Sequence, residues 1–208
     1  MPDRVLISTF GFDAEKILRS LRWIGYDRLT LLVGGKSLKD PGLRRIEAAE
    51  RAAGAGLEVV RVDPFDLRAC FEAAVGAIRR HRKAGHEVRV NVSGGTKILA
   101  DAALLAAFQE GVEAWHCEDR PVRLPVLKGV TFSDAFTATE RAVLSSLRRP
   151  VPVSALVARL VALGHGEASV RSSVARLHAQ GLLSMTIRAG VAVAFPNREV
   201  AWFTRTLF

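Results

Sequence analysis

Short apolar runs alternate with longer stretches in which apolar residues recur every three to four positions, and this exchange of periods organises the first two thirds of the chain. Val5, Leu6 and Ile7 sit in a buried-type strand over 4–10, and Ile17, Leu18, Leu21 and Ile24 mark one face of a helix that Asp13 can cap. The same exchange predicts a strand over 28–34 with a helix over 43–53, then a strand over 57–62 with a helix over 67–84. Val88, Val90 and Val92 follow, leading into an Ala/Leu-rich helix that runs to Gln109. A fifth strand is expected over 112–117, and 122–127 adds an edge strand, where Pro121 and Pro125 are tolerated. Strands alternating with helices predict an α/β fold, a Rossmann-like and mostly parallel sheet with right-handed crossovers.

Past a junction at 127–136 the rhythm changes. Thr137-Ala138-Thr139-Glu140 has the form of a capping box ahead of Val143, Leu144 and Leu147. A turn over 148–152 leads to a second helix over 153–163, and a third over 167–180 carries Val170, Val174 and Leu177 on one face. The segments 182–188 and 191–195, separated by Ala189-Gly190, read as a hairpin. Three helices and a hairpin make a small α+β winged helix-turn-helix domain. A last helix is expected over 197–208. The expected domains are therefore 1–130, Rossmann-like, and 131–208, the winged helix-turn-helix.

Composition sharpens this division. The 208 residues are 49% hydrophobic, ample for a folded core, and carry a formal charge of +9 with a pI near 10.5. Residues 137–208 hold nine Arg, no Lys and three Glu, so +6 of the excess lies in the smaller part. A polyanion such as double-stranded DNA is the partner this suggests. Cys70 and Cys117 are isolated, and no His has a matching acid or Cys neighbour, so neither a disulfide framework nor a metal site is indicated. No cofactor and no catalytic residue is assigned. No charged leader with a long apolar run opens the chain and no apolar stretch reaches membrane-spanning length, so a cytoplasmic protein away from membranes is expected.

The chemistry concentrates at Ser93, Gly94, Gly95, Thr96 and Lys97, a glycine turn between a strand and a helix. Glycines admit close backbone approach, free N–H groups at the helix start attract anions, and Lys97 adds a positive charge. In an open parallel sheet ligands sit beyond the carboxyl ends of the strands, so Thr9, Phe10, Gly11 and Phe12 share this edge, as do the loops 34–37 and 63–66. Gly35-Lys36-Ser37 matches only the end of a phosphate-binding P-loop. Thr30 stands where its first glycine belongs, so ATP hydrolysis is discarded, and the residues form either an ordinary turn or part of the pocket. In the third C-terminal helix Ser169, Arg171, Ser172 and Arg176 lie off the apolar stripe, with Arg188 beside the hairpin turn. These are the expected DNA contacts, set against a merely solvated face.

Asn91-Val92-Ser93-Gly94-Gly95-Thr96-Lys97 resembles the (N/D)x(S/T)GGT(K/R) element of the CRISPR-associated regulators that join an N-terminal CARF domain to a C-terminal winged helix. Thr9-Phe10-Gly11-Phe12-Asp13 is similar to that family's first-strand loop. The resemblance implies a homodimer that binds a cyclic oligoadenylate, with cyclic tetra-adenylate the expected ring, across its two-fold axis, adenines stacking on Phe10 or Phe12. It further implies transcription regulation in CRISPR antiviral defence. The alternative is an enzyme. One form is a ring nuclease that degrades its ligand; the other is a ligand-activated ribonuclease, for which Arg159 with His165 and Arg171 with His178 resemble the spacing of HEPN ribonucleases.

Overall fold

The strands foreseen from the apolar runs form one sheet in the computed structural model, which describes residues 2–207. In chain order the elements are β1 (Arg4–Phe10), α1 (Ala14–Trp23), β2 (Arg28–Gly34), α2 (Pro41–Ala52), β3 (Gly56–Val62), α3 (Leu67–Lys83), β4 (Glu87–Asn91), α4 (Lys97–Glu110), β5 (Glu113–Cys117) and β6 (Pro121–Arg123). The sheet order is β3-β2-β1-β4-β5-β6; every pairing is parallel except β5 with β6. The chain thus builds outward from β1 in one direction and returns to pair β4 on its other side. That reversal places the carboxyl ends of β1 and β4 next to each other, at a switch point.

β1 and β2 are buried on both faces, as central parallel strands should be, whereas the edge strand β3 is exposed or half-buried except at Val62. Leu6, Phe10, Ile17, Leu31 and Ile46 pack in one core layer. α4 is buried around most of its circumference, through Leu99, Ala102, Ala103, Ala106 and Ala107, which explains a helix apolar on all sides. Asp13, as expected, caps α1, its Oδ1 accepting from the Lys16 N–H at 3.0 Å. Asp40 does the same for α2, which starts at Pro41, two residues earlier than the periodicity suggested. The expected strand over 122–127 shrinks to Pro121–Arg123.

A second unit begins after Thr131. It contains α5 (Ala138–Ser146), β7 (Val151–Pro152), α6 (Val153–Ala162), α7 (Glu167–Ala179), β8 (Leu183–Arg188), β9 (Val191–Pro196) and α8 (Ala201–Thr206). The capping box is formed by Thr137 and Glu140. Val143, Leu156, Leu160, Val170, Val174 and Leu177 make its core. The segment expected as a turn over 148–152 also pairs with the hairpin: Val151 opposes Ala194 and Pro152 opposes Val193, giving a three-stranded antiparallel sheet in the order β7-β9-β8. Helix, short strand, two helices and a two-stranded wing are the winged helix-turn-helix arrangement. The last helix is shorter than the expected 197–208, and Phe208, where it was to end, lies outside the described residues. Among the described residues no helix is long and apolar enough to cross a membrane.

Candidate functional site

The Asn91 side chain organises the glycine turn after β4. Its Nδ2 donates to Ser8 Oγ at 2.9 Å and to Ser20 Oγ at 2.8 Å, tying β4 to β1 and α1. Its Oδ1 accepts from both the N–H and the hydroxyl of Ser93. Ser93 Oγ in turn accepts from the Cys117 N–H at 2.7 Å. All of these groups are buried, so their pairing is required. The Thr9 hydroxyl, also buried, donates to the Gly94 carbonyl at 2.7 Å. Thr9 is therefore occupied in joining the loop after β1 to the glycine turn, and Ser93 in tying that turn to Asn91 and to β5.

The glycines are explained by the same approach. A Cβ on Gly11 would stand 3.0 Å from the Gly95 Cα, and one on Gly94 would meet the Thr9 carbonyl at 2.6 Å and Ile17 Cδ1 at 2.7 Å. Gly95 has φ +83°, a conformation that suits glycine. Thr96 caps α4, accepting from the Leu99 N–H at 3.1 Å, while its hydroxyl donates to the Pro64 carbonyl at 2.5 Å, which draws in the loop after β3. Gly34 completes the fit, since a Cβ there would lie 2.8 Å from Pro64 Cγ.

These approaches leave a cavity of about 890 Å³ at the carboxyl edge of the sheet. Of the residues expected to bind, Phe10, Gly11, Phe12, Gly95 and Thr96 line it. Thr9, Ser93, Gly94 and Lys97 do not. Lys97 Nζ is paired with Asp101 at 3.1 Å, and the side chain is 87% exposed. Phe10 is 1% exposed and locked in the core, so it presents no face for a stacked base, whereas Phe12 is 67% exposed. The Gly35-Lys36-Ser37 loop lies on the cavity wall, with Arg61, Asp63 and Phe65 from the end of β3 and the loop after it. Loop 63–66 was foreseen at this edge, but Arg61 was not. Its signal was an arginine at the penultimate position of an apolar strand, flanked by Val60 and Val62. Near the cavity, Cys70 Sγ lies 3.0 Å from the Asp63 carbonyl, and burial, with Asp66 and Asp63, pushes its thiol up to about 11, so it is no nucleophile at neutral pH.

In the second unit Ser169, Arg171 and Ser172 are exposed on α7, and Arg188 is exposed at the wing turn, where Ala189 (φ +48°) and Gly190 (φ +75°) give a left-handed hairpin turn. Ser169 Oγ bonds Thr139 Oγ1 at 3.3 Å, and Arg171 pairs along the helix with Glu167 at 2.9 Å. Arg176 differs from its neighbours. It binds Glu140 twice, through Nε at 2.5 Å and Nη2 at 2.7 Å, and Glu140 is 2% exposed. Burial pushes the Glu140 carboxyl up, but the Thr137 N–H and hydroxyl and the Arg176 guanidinium outweigh it and bring the group below its ordinary value.

Residues 4–119 match the family described as HFX_2341_N:-like, N-terminal. No curated protein matches the chain. Among solved structures, the fold is similar to Can2 from Sulfobacillus thermosulfidooxidans in complex with cyclic tetra-adenylate (16% identity, 57% of this chain and 34% of that chain, TM-score 0.51). It is similar to a type III CRISPR defence DNA nuclease activated by cyclic oligoadenylate (19% identity, 84% and 30%, TM-score 0.51). It is also similar to protein VC1899 from Vibrio cholerae (12% identity, 97% and 64%, TM-score 0.53). The chain spans 34%, 30% and 64% of these proteins respectively, and at such identities the likeness shows the fold.

Proposed function

Because the chain belongs to the family described as HFX_2341_N:-like, N-terminal, we propose that its first unit is a CARF-like sensor of cyclic oligoadenylate and its second a DNA-binding winged helix, together forming a ligand-responsive transcription regulator of CRISPR antiviral defence. The observation that carries this reading is the cavity at the carboxyl edge of the sheet, formed where the loops after β1 and β4 meet, in a fold shared with a protein that holds cyclic tetra-adenylate. A cytoplasmic homodimer suits such a ligand, since a ring with its own two-fold symmetry is matched by two identical sites. The winged-helix topology, the +6 charge of 137–208 and the exposed Arg171 and Arg188 support duplex DNA as the second partner. Ligand and DNA would be linked by a coupling of about 1–3 kcal/mol, a 5- to 150-fold change in DNA affinity.

Calorimetric titration with cyclic tetra-adenylate tests the sensor, with linear oligoadenylate as control and chromatography of the recovered ligand. Tight binding at one intact ring per two chains is the expected result. Absence of binding to the ring would remove the sensor, and conversion of the ring to linear product would replace it with a ring nuclease.

A further inference from the structure

Two cations line the cavity with no carboxylate partner among the described residues: Lys36 and Arg61. The Arg61 guanidinium lies over the glycine loop, its Nη2 3.4 Å from where a Cβ on Gly35 would be, so the absent side chain gives it room. Ser37, beside them, is 5% exposed, and its hydroxyl bonds to no described residue although it lies on the cavity wall. The hydroxyl and the two unpaired cations face the cavity together and are free to bind an anion or another polar ligand group. Two apolar faces are also unused, Phe12 at 67% exposure and Phe65 at 70%. Cations with a hydroxyl suit phosphate oxygens, the planar fork of arginine most of all, and exposed aromatic rings suit bases. Among the described residues Asp63 is the one acid on the wall. Its Oδ1 accepts from the Phe65 N–H at 3.1 Å, which leaves the other oxygen to accept from an exocyclic amino group.

We infer that Arg61, with Lys36 and the Ser37 hydroxyl, holds a phosphate of the nucleotide ligand while Phe12 and Phe65 receive its bases, and that Lys97 takes no direct part. This rests on the reading of the first unit as a cyclic oligoadenylate sensor. Lys97 is the nearest cation in sequence to the glycine turn, but it is paired, exposed and off the cavity wall.

The test compares Arg61→Ala, Arg61→Lys and Lys97→Ala in the full chain by calorimetric titration with cyclic tetra-adenylate at one salt concentration. Arg61→Ala and Lys97→Ala each remove one positive charge from an exposed residue, so a general loss of electrostatic attraction would weaken both alike. Arg61 pairs with Val33 only through the backbone of β3, so its truncation leaves the ladder intact. Arg61→Ala is expected to bind about tenfold or more weakly, Arg61→Lys to fall between it and the parent, and Lys97→Ala to stay within about twofold. Phe65→Ala is expected to lose about fivefold or more. An Arg61→Ala variant within about twofold of the parent, or a Lys97→Ala variant as weak as Arg61→Ala, overturns this assignment while the sensor stands. A parent chain that binds no ring overturns both.

Discussion

Replacing Arg176 by alanine is expected to loosen the winged-helix unit, not to remove a DNA contact. The guanidinium makes two charge-assisted bonds, at 2.5 and 2.7 Å, to a carboxylate that is 2% exposed. Without it Glu140 keeps only its bonds to the Thr137 N–H at 2.8 Å and hydroxyl at 3.0 Å. Removing one partner of a fully buried pair costs about 3–5 kcal/mol. Arg176 is itself half exposed, so water can take part of its place, and about 2 kcal/mol is expected here. Hydrogen exchange of the α5 and α7 amides reads this in the full chain as a loss of protection of about 30-fold at pH 7. The pH dependence has a definite sign. A carboxyl held below its ordinary value when folded stabilises the fold above the unfolded value, about 4.3, and that contribution is lost as pH falls through the lower folded value. The difference between variant and parent should therefore shrink as pH drops below about 4. In a Glu140→Gln background the same substitution should cost much less. Unchanged protection together with weakened DNA binding would refute the reasoning and return Arg176 to the DNA-contacting face.

Asn91→Ala orphans the Ser93 N–H and hydroxyl in a buried site, and should destabilise the first unit by about 2–5 kcal/mol; exchange of the β1 and β4 amides measures it, and unchanged protection would count against the network. Arg188→Ala should weaken binding to any duplex and lower the slope of log K against log salt by about one. Titration of labelled DNA at several salt concentrations checks this, and an unchanged slope would remove the wing from the interface.

The carboxyl-edge location was legible in the sequence because βα turns and sheet order are coupled: once the strands are parallel, the loops 9–13, 34–37, 63–66 and 93–97 must share one edge. Which side chains face the cavity was not legible. Ser93 and Lys97 belong to one short segment and look alike in functional promise, yet Ser93 is taken up by Asn91 and Cys117, while Lys97 points along its own helix to Asp101. Arg61 and Arg176 show this from opposite sides. Arg61 escaped notice inside an apolar strand and lines the cavity; Arg176 was expected on the DNA face and is held by Glu140, 36 residues away in sequence.

What the sequence determined by itself is whatever a few neighbouring residues decide: the period of apolar positions, the Asp13, Asp40 and Thr137 caps, and the glycine turns. Those interactions close within three or four residues and are encoded locally. The tertiary structure alone decided which polar side chains are spent and which remain free. Asn91 reaches Ser20 across 71 residues, Thr96 reaches Pro64 across 32, and the strand order places β4 beside β1 with β2 and β3 on the far side. The physical reason is burial. Once the layers pack, each enclosed donor and acceptor must take the partner that packing brings to it, and only the groups left over at the carboxyl edge are available to a ligand.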